Sequence, residues 1–355
     1  MVRSSLTTMD KCKAVSKEVK DLIHDTWFVR NYYRTTKNIL GYFVQTIQNH
    51  SSVSTFVSVD EDEEGDGESP LRAPRVSMSS FIKDDMKILA SSSQGILCCR
   101  RYESGTYRYY ICKPSTGQIV LLPSPMKRLG SFHEHVSLIV AKSTPLHYRI
   151  IRYYPDRHLS PSGYDSYVCE IFDSKIWTWR PTENLVTEYN TIFENQPSVC
   201  IGEVAYLLTN KDTVVAFDSS LETHAEFGIP APARAEGNGY NVRQIVEYKG
   251  KLGLTSRERN SDRLFLWVLE DGKSCRWREE REVEIDENEG RLVGCGLADT
   301  ALMVGYELQV YRQSGFCYPY KPITAIFPFR SDWEAVNLEG EEGCMLSSLE
   351  EMMMC

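Results

Sequence analysis

The chain reads as mainly β, a propeller of about six small antiparallel sheets preceded by a short α-helical segment. Three observations predict this. Short apolar runs rich in Val, Ile, Tyr and Cys alternate with turn residues. The runs restart near positions 40, 95, 148, 202, 250 and 302, a spacing of roughly 50 residues that fits one propeller blade. Helical periodicity is strong only in residues 11–28. A small sheet with two apolar faces is unstable alone, and a radial arrangement buries both faces against neighbours. A pair of β-sandwiches would explain the strands but not their spacing.

In chain order, residues 1–37 form the helical segment. Cys12, Val15, Val19, Leu22 and Ile23 share one helical face, with lysines on the other. The β domain is expected over 38–335. Within it, 51–75 carries DEDEEGDGESP and few apolar residues, so it reads as a solvated, disordered insert. The carboxylates Asp60, Asp62 and Asp66 lack the glycine and terminal glutamate spacing of an EF-hand loop, so no calcium site is expected.

The clearest unit spans 89–125. Gly95 opens the strand Ile96–Cys99, a turn at Glu103-Ser104-Gly105 reverses it into Tyr107–Cys112, and Pro114 to Gly117 turns it again. Ile119 to Leu122 then runs out to Pro123, which stops pairing. Later units pair Ser137–Val140 with Tyr148–Tyr154, then Tyr167–Phe172 with Trp177–Arg180. A single run over 197–206 faces Val214–Asp218, and another over 245–254 faces Arg263–Leu269. The sixth unit is placed at 292–311. The tail, 336–355, is acidic and Met-rich and reads as a disordered end.

Composition narrows the function. Apolar content of 42% suffices for a core, and a net charge of −9 argues against a nucleic-acid surface, which needs a basic face. No apolar run is long enough to span a membrane, and no secretory signal opens the chain. The 11 cysteines are odd in number and contain no C-x-x-C pair, so they read as reduced thiols of the cytoplasm or nucleus. The pair His133 and His135 lacks a third metal ligand, and the segment reads as a polar loop. No nucleophile elbow, P-loop or dinucleotide fingerprint is present. No metal, cofactor or catalytic residue is therefore expected. A carboxylate pair assembled in the propeller, as in glycan-processing enzymes, remains the remote enzymatic alternative.

Strands are consumed by pairing, whereas loops vary freely and carry binding. The loops at 155–164, 231–240 and 257–262 are the candidates. Arg157, His158, Tyr164, Arg234, Tyr240 and Arg259 supply the side-chain types enriched at hot spots.

The phrase at 92–97 (SSQGIL) with Cys98, the run Ile111-Cys112-Lys113-Pro114-Ser115-Thr116-Gly117, and Leu122-Pro123 resemble the first repeat of the plant F-box-associated interaction domain. Lys113 stands where that family has Asn. Tyr148 to Arg152, Cys169 to Ser174 with Trp179-Arg180, Val215 to Asp218 and Leu266 to Asp271 resemble its later phrases, in order, across about residues 90–315. Residues 11–28 are similar to the closing part of an F-box, with Val19 in place of Trp. The residues before Lys11 do not resemble its opening, so the F-box is expected to be truncated.

The resemblance implies a non-catalytic substrate receptor of an SCF-type cullin-RING ubiquitin ligase. Cys12, Val15, Ser16, Leu22 and Ile23 would face a Skp-type adaptor and its cullin, and the propeller would hold a target protein. Weakened or absent adaptor docking is the expectation. The alternative is a propeller that binds a partner without any ligase connection.

Overall fold

The computed structural model describes residues 39–48, 51–58, 82, 85–126, 134–156, 164–234, 242–257, 263–271, 275–284, 323–332 and 334–339. The expected helical segment and the sixth unit at 292–311 lie outside these residues.

The described residues form a β-propeller of five sheets, against the expected six or so. Blade 1 has the order β2-β1-β20, from β1 (Ile39–Gln48), β2 (Ser51–Ser58) and β20 (Ile323–Ser331). Blade 2 is the meander β3 (Lys87–Ser91), β4 (Leu97–Glu103), β5 (Thr106–Lys113) and β6 (Gln118–Leu121). Blade 3 runs β7 (His135–Ser143), β8 (Leu146–Pro155) and β9 (Tyr164–Asp173). Its outer edge is split, with β10 (Thr178–Pro181) and β11 (Leu185–Glu188) each pairing with half of β9. Blade 4 comprises β12 (Val199–Ile201), β13 (Val204–Leu208), β14 (Thr213–Asp218) and β15 (Thr223–Gly228). Blade 5 comprises β16 (Val242–Tyr248), β17 (Lys251–Arg257), β18 (Arg263–Asp271) and β19 (Arg276–Glu284).

The first strands of successive sheets pack side by side, β3 on β7, β7 on β12 and β12 on β16. They line the axis, and the later strands of each meander step outward. Ring closure is chemical as well as geometric. β1, from the start of the described chain, pairs with β20, from its end, through Ile39↔Ser331 to Thr46↔Ile323.

The recurring runs seen in sequence are the second strands, beginning at Leu97, Leu146, Val204 and Lys251, rather than the first. Two runs expected to be single strands are hairpins. Gly202, at φ 59°, breaks 197–206, while Lys249 and Gly250, at φ 50° and 71°, break 245–254. The unit at 89–125 likewise gains a fourth, axial strand, β3. Ser51–Ser58, placed by sequence in the solvated insert, is instead strand β2. Its neighbours at 59–81 lie outside the described residues.

The core is divided among the blade interfaces, because each flat sheet buries both faces. Phe43, Phe327, Phe329, Leu97 and Cys112 fill blade 1/2, and Tyr148, Ile150, Phe172, Ile111 and Trp179 fill blade 2/3. Tyr153, Phe217, Phe193 and Leu207 fill blade 3/4, and Ile245, Leu254, Phe227 and Val214 fill blade 4/5.

Polar latches repeat across these interfaces. Trp179 Nε1 on β10 donates to Pro123 O after β6 at 2.8 Å, and Trp277 Nε1 on β19 donates to Gly228 O of β15 at 3.0 Å. In both cases an outer-strand tryptophan reaches a carbonyl at or just beyond the end of the preceding outer strand. The off-family Lys113 is explained by the closure. Its buried ammonium pairs with Asp332 Oδ1 at 2.6 Å and donates to Glu334 O at 2.5 Å.

The closing segment continues past the boundary expected at residue 335. Gln118 Nε2 donates to Val336 O at 2.7 Å, and its Oε1 accepts from Val336 N at 3.1 Å. Leu338 is buried, and Tyr148 OH donates to its carbonyl at 2.7 Å.

Candidate functional site

The strand directions gather the loops chosen from sequence at one end. β8 ends at Pro155 and β9 begins at Tyr164; β15 ends at Gly228 and β16 begins at Val242; β17 ends at Arg257 and β18 begins at Arg263. Cross-blade contacts lie at this same end. The His135 ring, at the start of β7, lies 5.2 Å from that of Phe193. Arg243, at the start of β16, pairs with Glu194 at 2.9 Å and with Asp212.

Among the six expected partner-binding residues, Tyr164 and Arg234 are described, and both stand at this end. Tyr164 is exposed, across from Glu188 in the β9/β11 register. Arg234 is exposed but not wholly free to reach outward, since its Nε donates to Ile229 O at 3.2 Å. Arg157, His158, Tyr240 and Arg259 lie outside the described residues, as do Cys12, Val15, Ser16, Leu22 and Ile23.

Beneath this end lies a cluster the sequence reading missed. Glu134, the middle residue of the His-Glu-His run, is its hub. Its carboxylate accepts from Arg100 of β4, from Arg152 Nε of β8 at 2.7 Å and from Tyr109 OH of β5 at 2.5 Å. Arg152 Nη1 also reaches Glu170 of β9 at 3.1 Å, and Glu170 accepts from Tyr154 OH at 2.9 Å. The Arg152 and Glu134 side chains are 2% and 3% exposed, so this is a buried network. Aromatic faces complete it: Arg100 lies 4.1 Å over Tyr107, and Arg152 4.8 Å over Tyr154. Tyr107 meets the exposed Tyr102 edge-on at 5.1 Å, which carries the cluster to the surface.

The β register explains the assembly. Lys87 pairs with Arg100 and Arg100 with Tyr109, so these side chains share the face of blade 2 turned to blade 3. Arg152 pairs with Glu170 on the opposing face. Like charges placed directly opposite repel, and Glu134 supplies the compensating charge. Burial alone would raise the Glu134 pKa, but Arg100, Arg152 and the Tyr109 hydroxyl outweigh it and hold the carboxyl below its usual value. Burial and the neighbouring Arg100 lower the Lys87 pKa, against the pull of Glu134. Burial, then Glu134, raises that of Tyr109.

The cluster ties blade 2 to blade 3. A general acid needs a raised carboxyl, and Glu134 is shifted the other way. Glu194 is raised by burial, yet it accepts from Arg243 and Gln196, and Asp212 shares the same guanidinium. Among the described residues no group of His, Cys, Asp and Glu has metal-binding geometry. His135, one of the two histidines weighed as metal ligands, packs instead on Phe193.

The sequence model of the F-box associated beta propeller domain matches residues 42–295. The chain belongs to this family. The match starts in β1 and covers blades 2 to 5, while the closing strand β20 lies beyond its end.

Two F-box proteins of Arabidopsis thaliana are similar in sequence. One is 25% identical over 184 residues, covering 49% of this chain and 50% of the relative, so the chain spans about half of that protein's length. The other is 29% identical over 156 residues, covering 41% of this chain and 77% of the relative.

Among solved structures, a protein from Lactobacillus plantarum aligns over 70% of this chain and 97% of its own, at 10% identity and a TM-score of 0.29. AztD from Citrobacter koseri aligns over 69% and 59%, at 11% identity and a TM-score of 0.31. The fold assignment rests on the strand pairing and the family match, and not on these two. Among the described residues no helix is long and apolar enough to cross a membrane.

Proposed function

We propose that this F-box associated propeller is the target-holding part of an SCF-type cullin-RING ubiquitin ligase. The family match over residues 42–295 carries the reading. The gathering of these loops at one end of the propeller supports it, because binding residues concentrate on loops held by such scaffolds. Tyr164 and Arg234, with Arg157, His158, Tyr240 and Arg259 in the adjoining loops, contact the target. The segment bearing Cys12, Val15, Ser16, Leu22 and Ile23 faces a Skp-type adaptor, and through it a cullin.

The subunit performs no chemistry of its own and uses no cofactor. It speeds ubiquitin transfer by holding the target near the charged conjugating enzyme, converting a bimolecular encounter into a local one. It works in the cytoplasm or nucleus.

Co-expression with a Skp-type adaptor, followed by purification through the propeller chain, tests the ligase connection. Sub-stoichiometric capture is expected, since Val19 replaces the Trp of the F-box pattern. Complete absence of adaptor refutes the ligase reading and leaves a propeller that binds its partner without marking it.

A further inference from the structure

Resting on the reading that the loop-bearing end holds a target protein, we propose that the outer edge of blade 3 docks an extended segment of that target in which apolar residues alternate with Lys or Arg.

β11 pairs only with β9 among the described strands and so forms an open sheet edge. Val186 pairs with Ser166 and Glu188 with Tyr164, which places Tyr164, Val186 and Glu188 on one face. Leu185 and Thr187 take the opposite, buried face. The chain then turns and presents Tyr189 and Ile192. Tyr164, Val186, Tyr189 and Ile192 are 54%, 63%, 69% and 55% exposed. Four large exposed apolar side chains on the β9/β11 pair and the turn that follows it mark an interaction surface.

The turn that displays them is held rigidly. Asn190 N donates to Asp165 Oδ2 at 2.7 Å, Thr191 N to Glu188 O at 3.2 Å and Ile192 N to Asn210 Oδ1 at 2.8 Å. Asn210 N returns a bond to Ile192 O at 2.9 Å, and Tyr167 OH donates to Thr191 O at 2.8 Å. Two of these bonds fix the backbone of Ile192, and the other three fix the Asn190 and Thr191 backbone between Tyr189 and Ile192. Ordering the turn in advance removes that entropy loss from the binding step.

Charge selects the occupant. Around the apolar strip the sequence contains Glu183 and Glu188, with no Lys or Arg between Arg180 and Lys211, while Glu194 is already paired with Arg243. Glu183 and Glu188 are exposed beside the apolar strip. A second copy of this edge would bring like charges together, which natural edges use to prevent self-pairing. A basic strand meets complementary charge, adds backbone hydrogen bonds to the edge, and seats alternate apolar side chains against Val186 and its neighbours.

Fluorescence anisotropy with three labelled synthetic peptides tests this on the purified full chain. One alternates valine with lysine, one alternates valine with glutamate, and one carries lysine without valine. The first is expected to bind at least about tenfold more tightly than either other, with affinity falling as salt rises. Tyr189→Ser with Ile192→Ser is expected to weaken it about tenfold or more with the thermal transition unchanged. Glu188→Lys, at an exposed position, should shift preference towards the glutamate peptide, and it carries the test if the double variant does not fold.

Equal affinity for all three peptides, no saturable binding, or unchanged binding by the substituted chains overturns the proposal. The outcome is separable from the ligase reading. A chain that captures the adaptor but binds no peptide keeps the receptor role and loses this site. A chain that binds the peptide but no adaptor keeps the site and loses the ligase connection.

Discussion

Glu134→Ala is the most informative single change to the scaffold. It removes the carboxylate that faces Arg100, Arg152 and Tyr109 in a buried interface. Two buried guanidiniums are then left with Glu170 as the remaining bonded carboxylate of the network. Breaking a buried ion pair by removing one partner costs about 3–5 kcal/mol. Against a typical total of about 5–15 kcal/mol, that brings the propeller near its unfolding threshold.

A second substitution isolates the electrostatic cause. With Arg100→Met added, the remaining Arg152 and Glu170 balance at 3.1 Å. The double variant should therefore be less destabilised than the sum of the single ones, by about 1 kcal/mol or more. Urea unfolding of the four chains supplies the cycle. Additivity to within about 0.5 kcal/mol would refute the reasoning, because independent sites add.

The pH response carries a defined sign. Glu134 has a depressed folded-state pKa, so its contribution is present above the unfolded carboxylate pKa and is lost as pH falls through the folded value. Glu134→Gln should flatten the stability profile below about pH 4.5, relative to the native chain, and leave its slope near neutrality unchanged.

Three further outcomes follow from the blade contacts. Gly95 sits at φ 72°, and a Cβ there would lie 2.2 Å from Ser331 Oγ and 2.8 Å from Arg330 O. Gly95→Ala should cost about 2–5 kcal/mol from strain plus overlap, by urea unfolding. Gly105, at φ 84° with nothing within 4 Å of its Cβ position, should lose only about 1–2 kcal/mol in Gly105→Ala, and equal losses at both glycines would contradict the close approach. Trp179→Phe and Trp277→Phe each remove one inter-blade hydrogen bond while keeping an aromatic ring. Each should cost about 1–2 kcal/mol, and a neutral result at both would remove the latch from the account.

Local chemistry was legible in the residues. The turn at Gly117, at φ 70°, and the pairing of β4 with β5 follow from side-chain pattern and from residues with special backbone freedom. The breaks at Gly202 and at Lys249-Gly250 were not legible. Each is a short turn, Gly202-Glu203 or Lys249-Gly250, with apolar residues on both sides, so the pattern reads through it. The axial strands β12 and β16 were therefore fused with their successors. The family phrases, by contrast, identified the family that the match over residues 42–295 shows.

The buried network could not be read from the chain at all. Glu134 meets Arg100, Tyr109 and Arg152 only because blades 2 and 3 stand face to face, and their separation along the chain hides that meeting. The same holds for Lys113. By sequence it is a departure from the family pattern, and by structure it is the buried cation that ties blade 2 to the closing segment at Asp332.

The sequence by itself determined a repeated β architecture, the family phrases and the absence of recognisable catalytic motifs, because turns and strands are written in neighbouring residues. Only the tertiary structure decided which charges compensate one another, which end gathers the loops and which strand edge stays open. Those properties belong to pairs of sheets brought together by burial of their faces, and no single stretch of chain contains them.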